Sequence, residues 1–144
     1  MTAPALLVAR VGSERYGLDV GAVRGVMDVA DVTPVPGGAP GLLGVLRRGP
    51  HFVPLFSLEA VLDGAGARPA GCAVVLTLGD ADLALGVDEV ETVTAPGAAF
   101  LAGSGAPAGD RLVRGVCRCG EALVTVLDPG ALAARLTAER ESDP

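Results

Sequence analysis

The chain has 144 residues, enough for one compact core and too few for two unrelated ones. Its formal charge is −6, with eleven arginines, no lysine and seventeen acids intermixed, and its aromatics are one Tyr and three Phe. That balance excludes a phosphate-binding stripe and a base-stacking platform, so no nucleic-acid partner is expected. No apolar run approaches the ~20 residues a membrane helix needs, and no secretory n-region opens the chain. With three cysteines, an odd number that sets up no disulfide framework, the expectation is a cytoplasmic protein that does not insert into a membrane.

In chain order, residues 6–11 form an apolar, β-branched stretch, 12–15 a polar turn and 16–20 a second apolar stretch: a β-hairpin. Val20, Val23 and Val26 then recur every third residue, which fits one helical turn or an extended segment with one buried side. Residues 44–46 and 52–56 flank an arginine-glycine turn with Pro50 at its tip, a second hairpin. Ser57 before Leu58, and later Asp128-Pro129 before 130–139, are helix starts, because a side-chain oxygen at the N-cap satisfies amides that a new helix leaves free. Residues 63–71 read as a connector and 95–110 as a Gly/Ala/Pro loop anchored by Phe100 and Leu101.

The same elements occur twice. Residues 6–26 align with 73–93 at a constant offset of 67, placing Val20, Val23 and Val26 on Val87, Val90 and Val93. Residues 44–58 align with 115–129 at an offset of 71, and Gly44, Arg47, Gly49 and Val53 fall on Gly115, Arg118, Gly120 and Val124. Two ungapped echoes in the same order indicate a duplicated β unit. Each half is expected to supply about five short strands, and closing such sheets into barrels removes aggregation-prone edges. The reading is all-β: two small barrels with a seam between them and a short C-terminal helix. They form a single domain over 5–136 (first repeat about 6–62, second about 73–136, strands shared) with a polar tail at 137–144.

Residues with catalytic potential do not assemble into a site. His51 is the single histidine and sits at a predicted hairpin tip. Cys117 and Cys119 are two apart, whereas structural zinc relies on Cys-x2-4-Cys pairs. Asp80/Asp82 and Asp88/Glu89/Glu91 are read as solvated acidic faces, and Gly37-Gly38 lies among prolines rather than between strand and helix. No enzyme, metal site or cofactor is expected.

The segment Val11-Gly12-Ser13-Glu14-Arg15-Tyr16-Gly17-Leu18-Asp19-Val20-Gly21-Ala22-Val23 lies without a gap on the pattern L-G-x-x-x-Y-G-(hydrophobic)-D-(hydrophobic)-x-x-V. Val32-Thr33, Gly44-Val45, Val53-Pro54-Leu55 and Leu58 follow at matching spacing, as do Val87-Asp88-x-Val90-x-x-Val93 and Gly115-Val116 in the second half. In this order and over nearly the whole chain, the sequence resembles the CheW family of chemosensory coupling proteins. The resemblance implies two intertwined five-stranded SH3-like barrels and a non-catalytic scaffold role in chemotaxis signal transduction. It implies two partners: the cytoplasmic tip of a chemoreceptor, packing in the seam, and the regulatory domain of a CheA-type histidine kinase of the two-component system. The protein-binding positions it implies are Val20, Val23, Arg24, Arg47, Arg48, Val87 and Val90.

Three departures from the family pattern stand out. The family's turn arginine is Gly49 here, with Arg47 and Arg48 before it; a family glutamate is Gly25; and an aspartate after the Val-Pro strand is Ser57. Placed together near one end of the first-half barrel, they lead to the expectation of a weakened kinase contact. Two other classes compete with the adaptor reading: a double SH3-like interaction module unrelated to chemotaxis, and a metal or redox binder built on Cys72, Cys117 and Cys119.

Overall fold

The computed structural model describes residues 5–35, 41–63, 70–78, 81–94, 100–102, 112–119 and 121–141. The first half runs β1 (Leu6–Val11), β2 (Glu14–Asp19), a 3-10 turn (Val20–Ala22), β3 (Val23–Asp28), a second 3-10 turn (Val29–Asp31), β4 (Val32–Thr33), β5 (Leu42–Arg48), β6 (His51–Ser57) and α1 (Leu58–Asp63). The second half repeats it as β7 (Cys72–Leu78), β8 (Ala81–Val87), β9 (Glu89–Thr94), β10 (Phe100–Ala102), β11 (Val113–Cys119), β12 (Ala122–Leu127) and α2 (Pro129–Glu141). The expected 95–110 loop therefore contains a strand, β10, paired to β11 through Phe100↔Cys117. The expected C-terminal helix continues to Glu141, into the segment read as tail. Gly37-Gly38, Asp80 and most of the 63–71 connector lie outside the described residues.

The strands form two six-stranded sheets, β9-β1-β2-β12-β11-β10 and β3-β7-β8-β6-β5-β4. Each contains five strands of six or seven residues and one short edge strand. Exchanging every strand for its repeat counterpart converts one order into the other. The first hairpin of each half is thus inserted in the sheet built mainly by the other half, and the two halves are intertwined. The insertion creates one parallel pair per sheet, β12–β2 through Val126↔Gly17 and β6–β8 through Leu55↔Ala84, in sheets that are otherwise antiparallel.

Irregularities repeat as well. The β3–β7 ladder slips between Val23 and Gly25, and the β1–β9 ladder slips at the counterpart place, opposite Glu91. The β5–β6 and β11–β12 ladders slip at equivalent positions, before Gly44 and Gly115. At Gly44 no side chain fits, since a Cβ would stand 2.5 Å from the Thr33 carbonyl oxygen.

Three apolar clusters explain why the inserted hairpins are continuous hydrophobic runs. Along β1, Leu6 and Val8 point into a core with Cys117, Val124 and Val126, whereas Leu7, Ala9 and Val11 point into a central core. Along β7, Ala73 and Val75 join Leu46, Val53 and Leu55, whereas Val74 and Leu76 join the central core. A strand buried on both faces cannot alternate apolar with polar. The central core also holds Leu18, Phe56, Leu85, Leu132 and Leu136, so strands and helices of both halves share it.

The second sheet is rolled: Met27 of β3 and Val32 of β4, its two edge strands, pack on one cluster. Arg48 of β5 reaches the Arg24 carbonyl of β3 at 3.5 Å across the open end.

Candidate partner-binding surfaces

The first surface begins where β2 ends. Asp19 accepts a hydrogen bond from the Gly21 N–H at 2.8 Å, capping the 3-10 turn. The Val20 N–H donates to the Ala5 carbonyl at 3.0 Å, which ties the turn to the start of β1. Val20, Ala22 and Val23 are each half-buried against the central core. Beside them a shallow cleft runs between the turn and α2, lined by Leu18, Asp19, Leu76, Leu127 and Leu132. Asp128 caps α2, accepting from the Gly130 and Ala131 N–H groups at 2.8 and 3.2 Å, and so holds that wall in place. The result is a half-covered apolar strip of Val20, Ala22 and Val23, the kind of surface on which an amphipathic helix buries one face.

The counterpart place in the other barrel is built differently. Val87, the counterpart of Val20, is only 1% exposed. As a position offered for direct contact it is therefore corrected: it is a core residue. The cause is Gly86, which stands where Asp19 stands in the first half. Glycine has no capping oxygen, and a Cβ there would lie 2.7 Å from the Cβ of Ala70 and 3.0 Å from Leu43. No 3-10 turn forms between β8 and β9, and the chain passes directly into the next strand. Val90 stays half-buried on the central core, across from Ala9. Val20 and Val23 thus belong to one seam, and Val87 and Val90 to its counterpart.

The arginines form a second surface, contiguous with the first through β3. Arg24 Nε donates to Thr77 Oγ1 at 2.9 Å, and that hydroxyl donates to Asp82 at 2.6 Å. Arg48 turns toward the barrel's open end, while Arg47, one residue earlier, is exposed on the outer face beside its cross-strand neighbour Phe52. Gly49 has φ +61° and is followed by Pro50. A two-residue hairpin turn with positive φ at its first position and Pro at the second suits glycine and no branched side chain. The shift of the cation from the turn to β5 thus follows from the turn type.

Ser57 does not belong to this end. It is buried at the far end of β6, about 20 Å along a seven-residue strand, where its Oγ accepts from the Ala60 N–H at 3.3 Å. The expected cluster of three departures is corrected to two, Gly25 and Gly49.

Sequence patterns missed the largest exposed apolar side chains. Phe52 is 71% exposed and its repeat counterpart Leu123 59% exposed. Val26 and Val93, expected to share the buried side of the every-third-residue pattern, are instead exposed at 48% and 58%. The bulges at Arg24 and Glu91 do keep each pair on one face, Val26 opposite Val74 and Val93 opposite Leu7, but these positions on β3 and β9, both edge strands, are left uncovered.

The acidic face of Asp88, Glu89 and Glu91 is ion-paired rather than simply solvated. Arg15 Nε meets Glu91 at 2.7 Å, and Arg10 meets Glu89 at 3.3 Å and Asp88 at 3.6 Å. His51 is exposed at the start of β6. Cys72 lies in one sheet, Cys117 and Cys119 in the other, so the three thiols do not converge. Among the described residues, no three His, Cys, Asp or Glu side chains are grouped to hold a metal ion, and no helix is long and apolar enough to cross a membrane.

A duplicated two-sheet topology with exchanged hairpins, carrying an apolar seam and a basic rim, is the class of fold this chain shows. Residues 5–137 match the model of the CheW-like domain, and the chain belongs to that family. It is 27% identical over 137 residues to a chemotaxis protein CheW of Treponema pallidum (strain Nichols), covering 85% of this chain and 78% of that protein. It superposes on the crystal structure of the scaffolding protein TtCheW from Thermoanaerobacter tengcongensis with a TM-score of 0.76 and 19% identity, covering 92% of this chain and 88% of the other. The latter likeness supports the fold.

Proposed function

We propose that this chain is a non-catalytic cytoplasmic adaptor that couples a chemoreceptor to a CheA-type histidine kinase, with residues 5–136 acting as one domain. The observation that carries the reading is the half-covered apolar strip of Val20, Ala22 and Val23, in a chain that belongs to the CheW-like family. The receptor's cytoplasmic tip, a helical hairpin, lays an apolar face against that strip. A few buried anchors supply most of the energy of such contacts.

The kinase regulatory domain takes the basic rim of Arg24, Arg47 and Arg48, more weakly than the receptor is taken. Gly49 removes a planar donor fork from the turn itself and Gly25 a carboxylate from β3, and losing one side of a desolvated charge pair costs roughly 2–5 kcal/mol. The test is an affinity pull-down with an immobilised receptor tip and, separately, an immobilised kinase regulatory domain. Retention on the receptor tip, with weaker retention on the kinase domain, is expected. Retention on neither would remove the adaptor reading.

A further inference from the structure

The β11–β12 hairpin carries two thiols that the adaptor role does not use. Cys117 and Cys119 are two apart on β11, so both side chains take the inner face of the sheet. Their Sγ atoms lie 3.8 Å apart. Cys117 is fully buried among Leu6, Val8, Val124 and Val126, while Cys119 is half-buried beside the same cluster. We propose that Cys117 and Cys119 are a dithiol oxidation site, converted by a hydroperoxide into an intramolecular disulfide through initial attack by Cys119.

The division of labour follows from burial. Desolvation and the adjacent thiol push Cys117 up to about 11, so at neutral pH it remains a protonated thiol. Cys119 is the thiol an oxidant can reach. Its thiolate attacks the terminal peroxide oxygen, the O–O bond breaks, and a sulfenic acid and hydroxide (an alkoxide from an organic hydroperoxide) result; a proton taken from solvent makes that leaving group water or the alcohol. The Cys117 sulfur then displaces the sulfenic hydroxyl, the S–S bond forms, and the Cys117 proton leaves with that hydroxyl as a second water. Overall two thiols and one hydroperoxide become one disulfide, an alcohol or water, and one further water.

Metal capture fits the site less well. A structural zinc takes four ligands, and the described residues contain no group of three candidate ligands.

Oxidation has a structural consequence. Same-face Cα atoms in an extended strand stand about 6.6–6.8 Å apart, at the upper limit of the roughly 4.4–6.8 Å that a disulfide spans. The bond therefore pulls β11 into a bend at Arg118 and is easily reduced, as strained disulfides are. Because Cys117 pairs with Val124 and Cys119 with Ala122, the bend passes into β12 and moves the exposed Leu123. The counterparts in the other barrel are Leu46 and Arg48, so the device exists in one barrel only.

The test is intact-mass analysis and thiol titration of the Cys72→Ala protein treated with hydrogen peroxide. Loss of two hydrogens within a monomer, loss of both titratable thiols and full recovery with dithiothreitol are expected. In the same background, Cys117→Ser should give a dimedone adduct on Cys119, and Cys119→Ser should lose its remaining thiol at least tenfold more slowly. The first measurement keeps both native thiols, so it stands even where a serine variant folds poorly. Thiols that stay free, a disulfide only between two chains, or faster oxidation at Cys117 than at Cys119 would each overturn the proposal.

Discussion

The two sheets share one strand order but carry different charges at corresponding positions. In the second sheet, Arg24, Thr77 and Asp82 form a hydrogen-bonded row across β3, β7 and β8. At the counterpart positions across β9, β1 and β2 stand Glu91, Arg10 and Arg15, joined by ion pairs. The bulge that aims the first residue of each row recurs as well, at Arg24 and at Glu91. The seams differ in the same spirit: Asp19 caps a 3-10 turn that leaves Val20 half-covered, while Gly86 lets Val87 sink into the core. Apolar periodicity and the turn glycines carry the fold, so they repeat, as Gly44/Gly115 and Gly49/Gly120 do; surface charge is free to diverge.

The largest effect tests whether the barrels are one unit. Leu85 is fully buried in the core both halves share, and Leu85→Ala should cost about 2–5 kcal/mol. Denaturant unfolding should remain a single transition for both barrels, and two separate transitions would break the claim that hairpin exchange joins them. Next comes the contrast between seams. Val23→Asp places a carboxylate in the apolar strip and should weaken receptor-tip binding at least tenfold, while circular dichroism stays unchanged. Val90→Asp, at the counterpart seam, should leave that affinity within about twofold.

Transplanting one charge row onto the other is a gentler test. Arg24→Glu, Thr77→Arg and Asp82→Arg together reproduce the β9-β1-β2 row, and should change stability by less than about 1 kcal/mol because exposed pairs contribute little. A larger loss would mean the rows are not interchangeable. The smallest effect lies at alkaline pH. Cys117 rises from 9.0 to about 11 in the fold, so the unfolded chain loses this proton first. The stability this provides is whole below about pH 9 and is lost as pH climbs toward 11. Urea titrations across that range should show a steeper decline for the native protein than for Cys117→Ala.

Much of this was legible in the sequence. The offsets of 67 and 71 named the repeat, and Leu18, Leu85, Val53 and Val124, matched by those offsets, are all buried. The capping oxygens of Ser57 and Asp128 marked both helix starts. The six-residue first strand also hinted at exchange, since a run buried on both faces needs a core on each side.

What stayed hidden depends on side-chain direction and long-range pairing. Val20 and Val87 look identical as letters, and only the packing around Gly86 separates a strip residue from a core residue. The Arg10 and Arg15 ion pairs join positions some eighty residues apart, which spacing cannot show. Ser57 stood near Gly49 in the chain but lies at the other end of its strand.

We propose that the first seam binds the receptor tip and that the basic rim holds the kinase more loosely. Isothermal titration of the native protein with a receptor-tip hairpin and, in a second cell, with the kinase regulatory domain tests it most directly. Binding of the receptor tip on the order of micromolar, −8 kcal/mol, with kinase binding at least tenfold weaker, is the result the account requires. Equal micromolar affinity for both partners would contradict it, and would leave an even-handed coupler in which the rearranged Gly49-Pro50 turn costs nothing.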